Sequence, residues 1–295
     1  MTAGVDLAVR VGSVPLPNPV MTASGTAGHG LELAPYLDHA RLGAVVVKSL
    51  AAFVWPGNDA PRLHPTPAGM LNSVGLQGPG VEAWVTETLP DLAATGARVV
   101  ASIWGRSVDE YGAAAAALSA AGPEVVAVEV NLSCPNHEGG RRMFAHDPGA
   151  TREAIAATAA CGRPRWAKLS PNTDRRVEMA TASADAGAVA VTLVNTLLGL
   201  AIDRDRRQPV LGGGGGGLSG PAIHPVAVRA VAEVHRAHPD LPIVGVGGVT
   251  DAESAVDLLM AGASAVQVGT ASFADPRAPM QVLDELETWC RRHRV

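Results

Sequence analysis

The stretch Val125-Val126-Ala127-Val128-Glu129-Val130-Asn131-Leu132-Ser133-Cys134-Pro135-Asn136 holds a strand and a chemical loop in sequence. Its first seven residues are mostly β-branched, as in a strand buried on both faces of a parallel sheet. Side chains alternate along a strand, so Val126, Val128 and Val130 share one face and Ala127, Glu129 and Asn131 the other. The valines suit a helix-facing side, which turns Glu129 and Asn131 inward. Seven more runs of this kind recur along the chain: Val20–Ala23, Ala44–Lys48, Val99–Ile103, Trp166–Leu169, Ala188–Val194, Ile243–Val246 and Ala265–Val268. Helix-like stretches fall among them at Tyr111–Ala121, Thr151–Ala160, Val177–Ala186, Pro225–Ala237 and Ala252–Ala261. Strand and helix in alternation predict parallel βαβ units, and eight such units close into a (β/α)8 TIM barrel. A barrel of about 250 residues plus insertions explains the length, so residues 1–295 are expected to form one domain. A doubly wound sheet would open its first helix with GxGxxG, and Gly25, Gly28 and Gly30 have the wrong spacing.

Composition narrows the function. A net charge of -5 leaves no basic face for nucleic acid. No run reaches the roughly 18 apolar residues of a membrane helix, and Met1–Pro15 lacks a basic-then-apolar secretory pattern. Cys134, Cys161 and Cys290 form no CxxC pair, so neither a disulfide framework nor a metal site is expected. The expectation is a cytoplasmic enzyme. Cys161 and Cys290 lie on helical stretches and read as inert.

Three stretches between strands exceed one helix: Ser49–Ala97, Leu132–Arg165 and Asn195–Leu241. All follow the C-terminal ends of strands, where barrel enzymes place their sites. The last contains Gly212–Gly217, six glycines in a row, which reads as a mobile active-site loop rather than a plain linker. The strand ends carry Ser24-Gly25, Lys48-Ser49, Ser102, Asn131, Lys168, Asn195-Thr196, Gly247-Gly248 and Gly269-Thr270. By alternation Lys168 shares a face with Trp166, and Asn195 with Leu193 and Val191. Two lysines at one mouth call for an anionic guest, while Glu129 is expected to pair with Lys168 inside the barrel. The glycine pairs after strands seven and eight stand where such barrels bind phosphate, since glycine lets backbone N–H groups come close. Asn131 and Asn136 both donate and accept, which suits a heterocycle with alternating C=O and N–H groups, and Cys134 stands between them.

From about Asn18 to Asp275 the chain resembles the class 1 dihydroorotate dehydrogenases, most closely subgroup B. The resemblance rests on Asn18-Pro19-Val20-Met21, Ala23-Ser24-Gly25-Thr26, Val47-Lys48-Ser49, Pro67 to Gln77, Asn131 to Asn136, Ala167 to Asn172, Leu218 to Ile223 and Val266 to Thr270. It implies an FMN enzyme that oxidises (S)-dihydroorotate to orotate in pyrimidine synthesis. Ser24, Lys48, Ser49, Ser102, Asn131, Lys168, Val194, Gly220, Gly247, Gly248, Gly269 and Thr270 would bind FMN. Lys48, Asn72, Ser73, Val74, Gly75, Leu76, Asn131, Asn136, Asn195 and Thr196 would bind the pyrimidine. Cys134 falls on the family's catalytic base, removing the C5 proton while hydride leaves C6 for flavin N5. Ser102 stands where the family usually has an asparagine against the flavin ring, and the all-glycine run replaces a loop that carries Asn or Thr. The resemblance also implies a homodimer core and, for subgroup B, a separate subunit with FAD and an iron–sulfur cluster. Two rivals are a related reductase acting on uracil-type bases, as in dihydropyrimidine dehydrogenase, and a flavin-binding subunit without catalysis.

Overall fold

The computed structural model describes residues 5–133 and 143–295. Its central sheet has eight parallel strands: β1 (Val20–Thr22), β2 (Val45–Val46), β3 (Val99–Ile103), β4 (Val125–Asn131), β5 (Arg165–Lys168), β6 (Ala190–Leu193), β7 (Ile243–Val246) and β8 (Ala265–Val268). They run in the order β1-β8-β7-β6-β5-β4-β3-β2. A parallel bridge between Met21 and Ala44 joins the two ends, with Gly43 N donating to Val20 O at 2.8 Å, so the sheet closes as a (β/α)8 barrel.

Six helices alternate with the later strands: α1 (Val108–Leu118), α2 (Pro148–Ala157), α3 (Arg176–Asp185), α4 (His224–Ala237), α5 (Ala252–Met260) and α6 (Ala278–His293). Three of them start at a side-chain cap. Ser107 accepts from Glu110 N, Asp147 accepts from Ala150 N ahead of Pro148, and Asp251 forms a capping box with Ser254. The caps at Ser107 and Asp147 begin α1 and α2 three residues before the starts expected from apolar spacing at Tyr111 and Thr151.

Along the strands one face packs on helices and the other fills the barrel. Val128 and Val130 join the helix-side core, whereas Ala127 packs inward with Met21, Val46, Val100, Trp166 and Val244. The antiparallel hairpin Val9–Val11 with Val14–Leu16 adds Val11, Val14 and Leu16 to this inner cluster and floors the barrel. Nearer the C-terminal ends the interior turns polar, with Ser102, Glu129, Lys168, Thr192 and Gln267 all buried.

The insertions after β2 and β6 meet over the mouth. Leu63–Thr66, Gly69–Asn72, Gly216–Ser219 and Leu197–Gly199 form a four-stranded antiparallel sheet, in which Gly217 pairs with Asn72 and Gly216 with Gly199. The last two glycines of the run, Gly216 and Gly217, therefore belong to a paired strand. A Cβ on Gly216 would run into the Asn72 carbonyl and one on Gly217 into the Thr196 hydroxyl. At Gly216 the neighbouring backbone leaves no room for a side chain, and at Gly217 the Thr196 side chain fills the space.

Trp166 is wholly buried in the inner cluster. Trp166→Ala is expected to lower the unfolding free energy by about 3–5 kcal/mol, read as a lower denaturant midpoint with an unchanged slope.

Candidate active site

Strand register brings the candidate residues together. Asn131 lies beside Lys168, Lys168 beside Thr192, Val246 beside Gln267 and Val268 beside Thr22. The residues that follow these positions therefore ring one opening. Over it lies the antiparallel sheet, and between the two is a cavity of about 620 Å³. Its wall contains Ser24, Lys48, Ser49, Asn72, Ser73, Val74, Gly75, Leu76, Asn131, Lys168, Val194, Asn195, Thr196, Gly220, Gly247, Gly248, Gly269 and Thr270. Ser102 is not on that wall. It is fully buried beneath it, its hydroxyl 2.8 Å from that of Ser49. Cys134 and Asn136 lie outside the described residues.

A hydrogen-bond relay fixes the centre of the cavity. Asn131 Nδ2 donates to Ser49 Oγ at 3.2 Å, while Asn131 Oδ1 accepts from Asn195 Nδ2 at 3.1 Å and from Ser133 N at 3.2 Å. With both ends of its amide engaged, Asn131 has one orientation. Behind it the Tyr111 hydroxyl donates to the Asn131 carbonyl at 2.5 Å, tying β4 to α1. Asn195 Oδ1 in turn accepts from Thr196 N at 2.8 Å. Alternation along β6 does not carry through to Asn195. Val191 and Leu193 pack toward the helices and Thr192 points into the barrel, but the strand ends at Leu193 and Asn195 is placed by its bond to Asn131. Period two holds only while the chain stays extended and paired.

The two lysines differ. Lys168 is 5% exposed at its side chain and lies 3.5 Å from the Oε1 of the fully buried Glu129, the pairing expected from sequence. Lys48 has no ion-pair partner among the described residues. Burial, and then the charge of Arg62, hold the Lys48 ammonium below the usual lysine range. An anion entering the cavity would relieve both effects, so the site favours negative charge beside Lys48.

Further residues escaped the sequence reading. Asn58 Nδ2 donates to Ser73 Oγ at 2.9 Å, and Asn58 itself lines the cavity. Trp55 Nε1 donates to the Gly75 carbonyl at 2.9 Å. Trp55 packs edge-on against Phe53 and Trp104, with the Arg106 guanidinium 4.4 Å from the Phe53 ring centre. Leu76 is held at φ +62 against this cluster, a conformation that a leucine adopts only when its surroundings impose it. The available signal was the crowding of Phe53, Trp55 and Trp104 in a chain that is only 3% aromatic. Cys161 and Cys290 are buried and do not line the cavity, and burial raises the Cys290 thiol above its ordinary value.

The donor set fits a flavin that carries a phosphate. Gly247, Gly248 and Gly269 present bare backbone on one wall beside Gly220, and Thr270 donates its hydroxyl to Ser219 Oγ at 2.8 Å there. Gly248 has φ +74, and a Cβ on it would lie 2.6 Å from His224 Cβ, so a side chain at this position is excluded on both counts. These residues would hold the phosphate, with Lys168, Ser49 and Asn131 left for the ring. Gly248→Val is expected to give purified protein without yellow colour and with at least a tenfold loss of FMN affinity; titration of the apoprotein with FMN checks it.

Comparison with known proteins agrees with this geometry. The family model described as Dihydroorotate dehydrogenase matches residues 6–289. A protein of Geotalea uraniireducens is 45% identical over 98% of this chain and 95% of its own length, and one of Pelobacter propionicus is 46% identical over the same shares. A protein of Desulforudis audaxviator is 48% identical over 97% of this chain and 92% of its own. Each of these relatives is named as the catalytic subunit of dihydroorotate dehydrogenase B (NAD(+)). With a match over nearly its whole length, the chain belongs to the dihydroorotate dehydrogenase family.

Proposed function

We propose that the chain is the FMN-binding catalytic subunit of a B-type enzyme that oxidises (S)-dihydroorotate to orotate in de novo pyrimidine synthesis. The observation that carries this reading is Lys48, with no ion-pair partner among the described residues, sharing one cavity with the amides of Asn72, Asn131 and Asn195. A cation and several carboxamides match a ring bearing a carboxylate and alternating C=O and N–H groups. FMN, when bound, supplies the acceptor for the hydride leaving C6.

The chain's own residues do the rest. Lys48 holds the carboxylate. Asn131 and Asn195, locked to each other, orient the ring edge, and Asn72 approaches from the covering sheet, where its Nδ2 also donates to Gly217 O at 3.2 Å. Asn136 would add a further amide. Cys134 follows Ser133, whose backbone N–H is anchored on Asn131. As thiolate it would take the C5 proton; an ordinary thiol, with pKa about 8.5, is mostly protonated at neutral pH, so the cations of the site favour the reactive form. Ser102 is proposed to act on the flavin side through Ser49. Electrons would leave by a separate subunit with FAD and an iron–sulfur cluster, the catalytic chain forming a homodimer in the cytoplasm. No helix among the described residues is long and apolar enough to cross a membrane.

The test is anaerobic mixing of the yellow protein with dihydroorotate. Rapid bleaching of the flavin is expected, rising with pH through the thiol range. Cys134→Ala should slow it about 10²–10⁴-fold with FMN still bound. Lys48→Ala should raise the dihydroorotate KM about tenfold to a hundredfold, the effect of losing a charge-assisted bond of about 1.5–3 kcal/mol. Bleaching by dihydrouracil but not dihydroorotate would assign the chain to the uracil-type reductases. No bleaching by either would leave a binding subunit.

A further inference from the structure

We propose that Glu129 is a positioning residue that restrains the charge of Lys168 and so sets the reduction potential of the bound flavin; this rests on the FMN reading above. Lys168 is on the cavity wall, whereas Glu129 is fully buried below it. On β4 and β5, Asn131 pairs with Lys168 and Glu129 with Trp166, so the carboxylate is one pleat deeper than the ammonium it faces.

The two oxygens of Glu129 do different things. Oε2 accepts from Thr192 Oγ1 at 3.0 Å and from Gln267 Nε2 at 2.8 Å, which pins the carboxylate from β6 and β8. Among the described residues Oε1 has no hydrogen-bond partner, and Lys168 Nζ stands 3.5 Å away. That separation is too long for a direct hydrogen bond but close for two charges in a poorly solvated interior. The ammonium is therefore attracted downward without spending its N–H groups there, and they remain for a guest above.

Reduction of the flavin takes two electrons and one proton, leaving the ring with one more negative charge. A cation beside the ring favours that state, and a carboxylate behind the cation opposes it. Glu129 therefore holds the potential below the value Lys168 alone would give. The opposition depends on how the Glu129 charge is shared: the Thr192 and Gln267 donors draw part of it away from Lys168.

Two substitutions then have opposite signs. Glu129→Gln removes the charge and keeps an acceptor for Thr192 and Gln267, so the potential should move positive. Thr192→Val keeps the volume but removes one donor to Oε2, so more of the charge acts on Lys168 and the potential should move negative. The measurement is the midpoint potential of the purified holoprotein, reduced anaerobically with xanthine and xanthine oxidase against a reference dye. The expected shift for Glu129→Gln is at least tenfold in the oxidised-to-reduced equilibrium, about 30 mV for a two-electron couple. Thr192→Val should move it severalfold the other way, and this variant carries the test by itself if Glu129→Gln does not fold. FMN affinity, measured on the same proteins, should rise for the reduced flavin in Glu129→Gln. Potentials that do not move, or that move in the same direction in both variants, would overturn the inference and leave the FMN reading intact. A wild-type protein that takes up no FMN would overturn both.

Discussion

A carboxylate in the middle of a barrel must be answered by the strands around it, and Glu129 is answered by three. Lys168 comes from β5, Thr192 from β6 and Gln267 from β8. A buried charge without partners is among the most costly features a fold can contain, so these strands have little freedom in register. Below this level the interior is apolar, down to Val11 and Val14 of the hairpin floor. Above it Asn131, Asn195 and the glycines after β7 and β8 face the cavity. The polar level thus separates the part of the barrel that supplies stability from the part that supplies chemistry.

The mouth is held by smaller bonds arranged in series. Ser102 supports Ser49, Ser49 accepts from Asn131, and Asn131 is tied to Asn195. Residues from β3, β4 and the segment after β6 therefore share one network, so a change at one reaches the others. The covering sheet closes the arrangement from outside, with Trp55 fixing the turn at Gly75 and Asn72 pairing across to Gly217.

Much of this was legible in the residues. β3, β4, β7 and β8 have the ends read from their apolar runs, and alternation placed Glu129, Lys168 and Trp166 inside. Local rules succeed there because a buried strand must alternate between two fixed environments. They fail where a tertiary contact decides. Asn195 follows its bond to Asn131 rather than the parity of β6. Ser102 has a strand-end position but faces Ser49 instead of the cavity. Of the glycines at 212–217, which looked like freedom throughout, the last two are the trace of close packing against Asn72 and Thr196. Asn58 and Trp55 act through bonds to Ser73 and Gly75, 15 and 20 residues on, in an insertion that has no apolar periodicity to announce them.

That pairing also orders events in time. The covering sheet joins Gly69–Asn72 to Gly216–Ser219, so it cannot form until six barrel strands and both insertions exist. Contacts between such distant segments carry a large loop-closure cost and are made late, and the pairing of β1 with β8 that closes the barrel spans a longer separation still. The floor hairpin and neighbouring pairs such as β3 with β4 are local and need no such wait. A nascent chain of this kind would hold its local strand pairs first and gain its closed barrel and roofed cavity at the end, with ligand capture as the closing step of folding rather than an event that follows it.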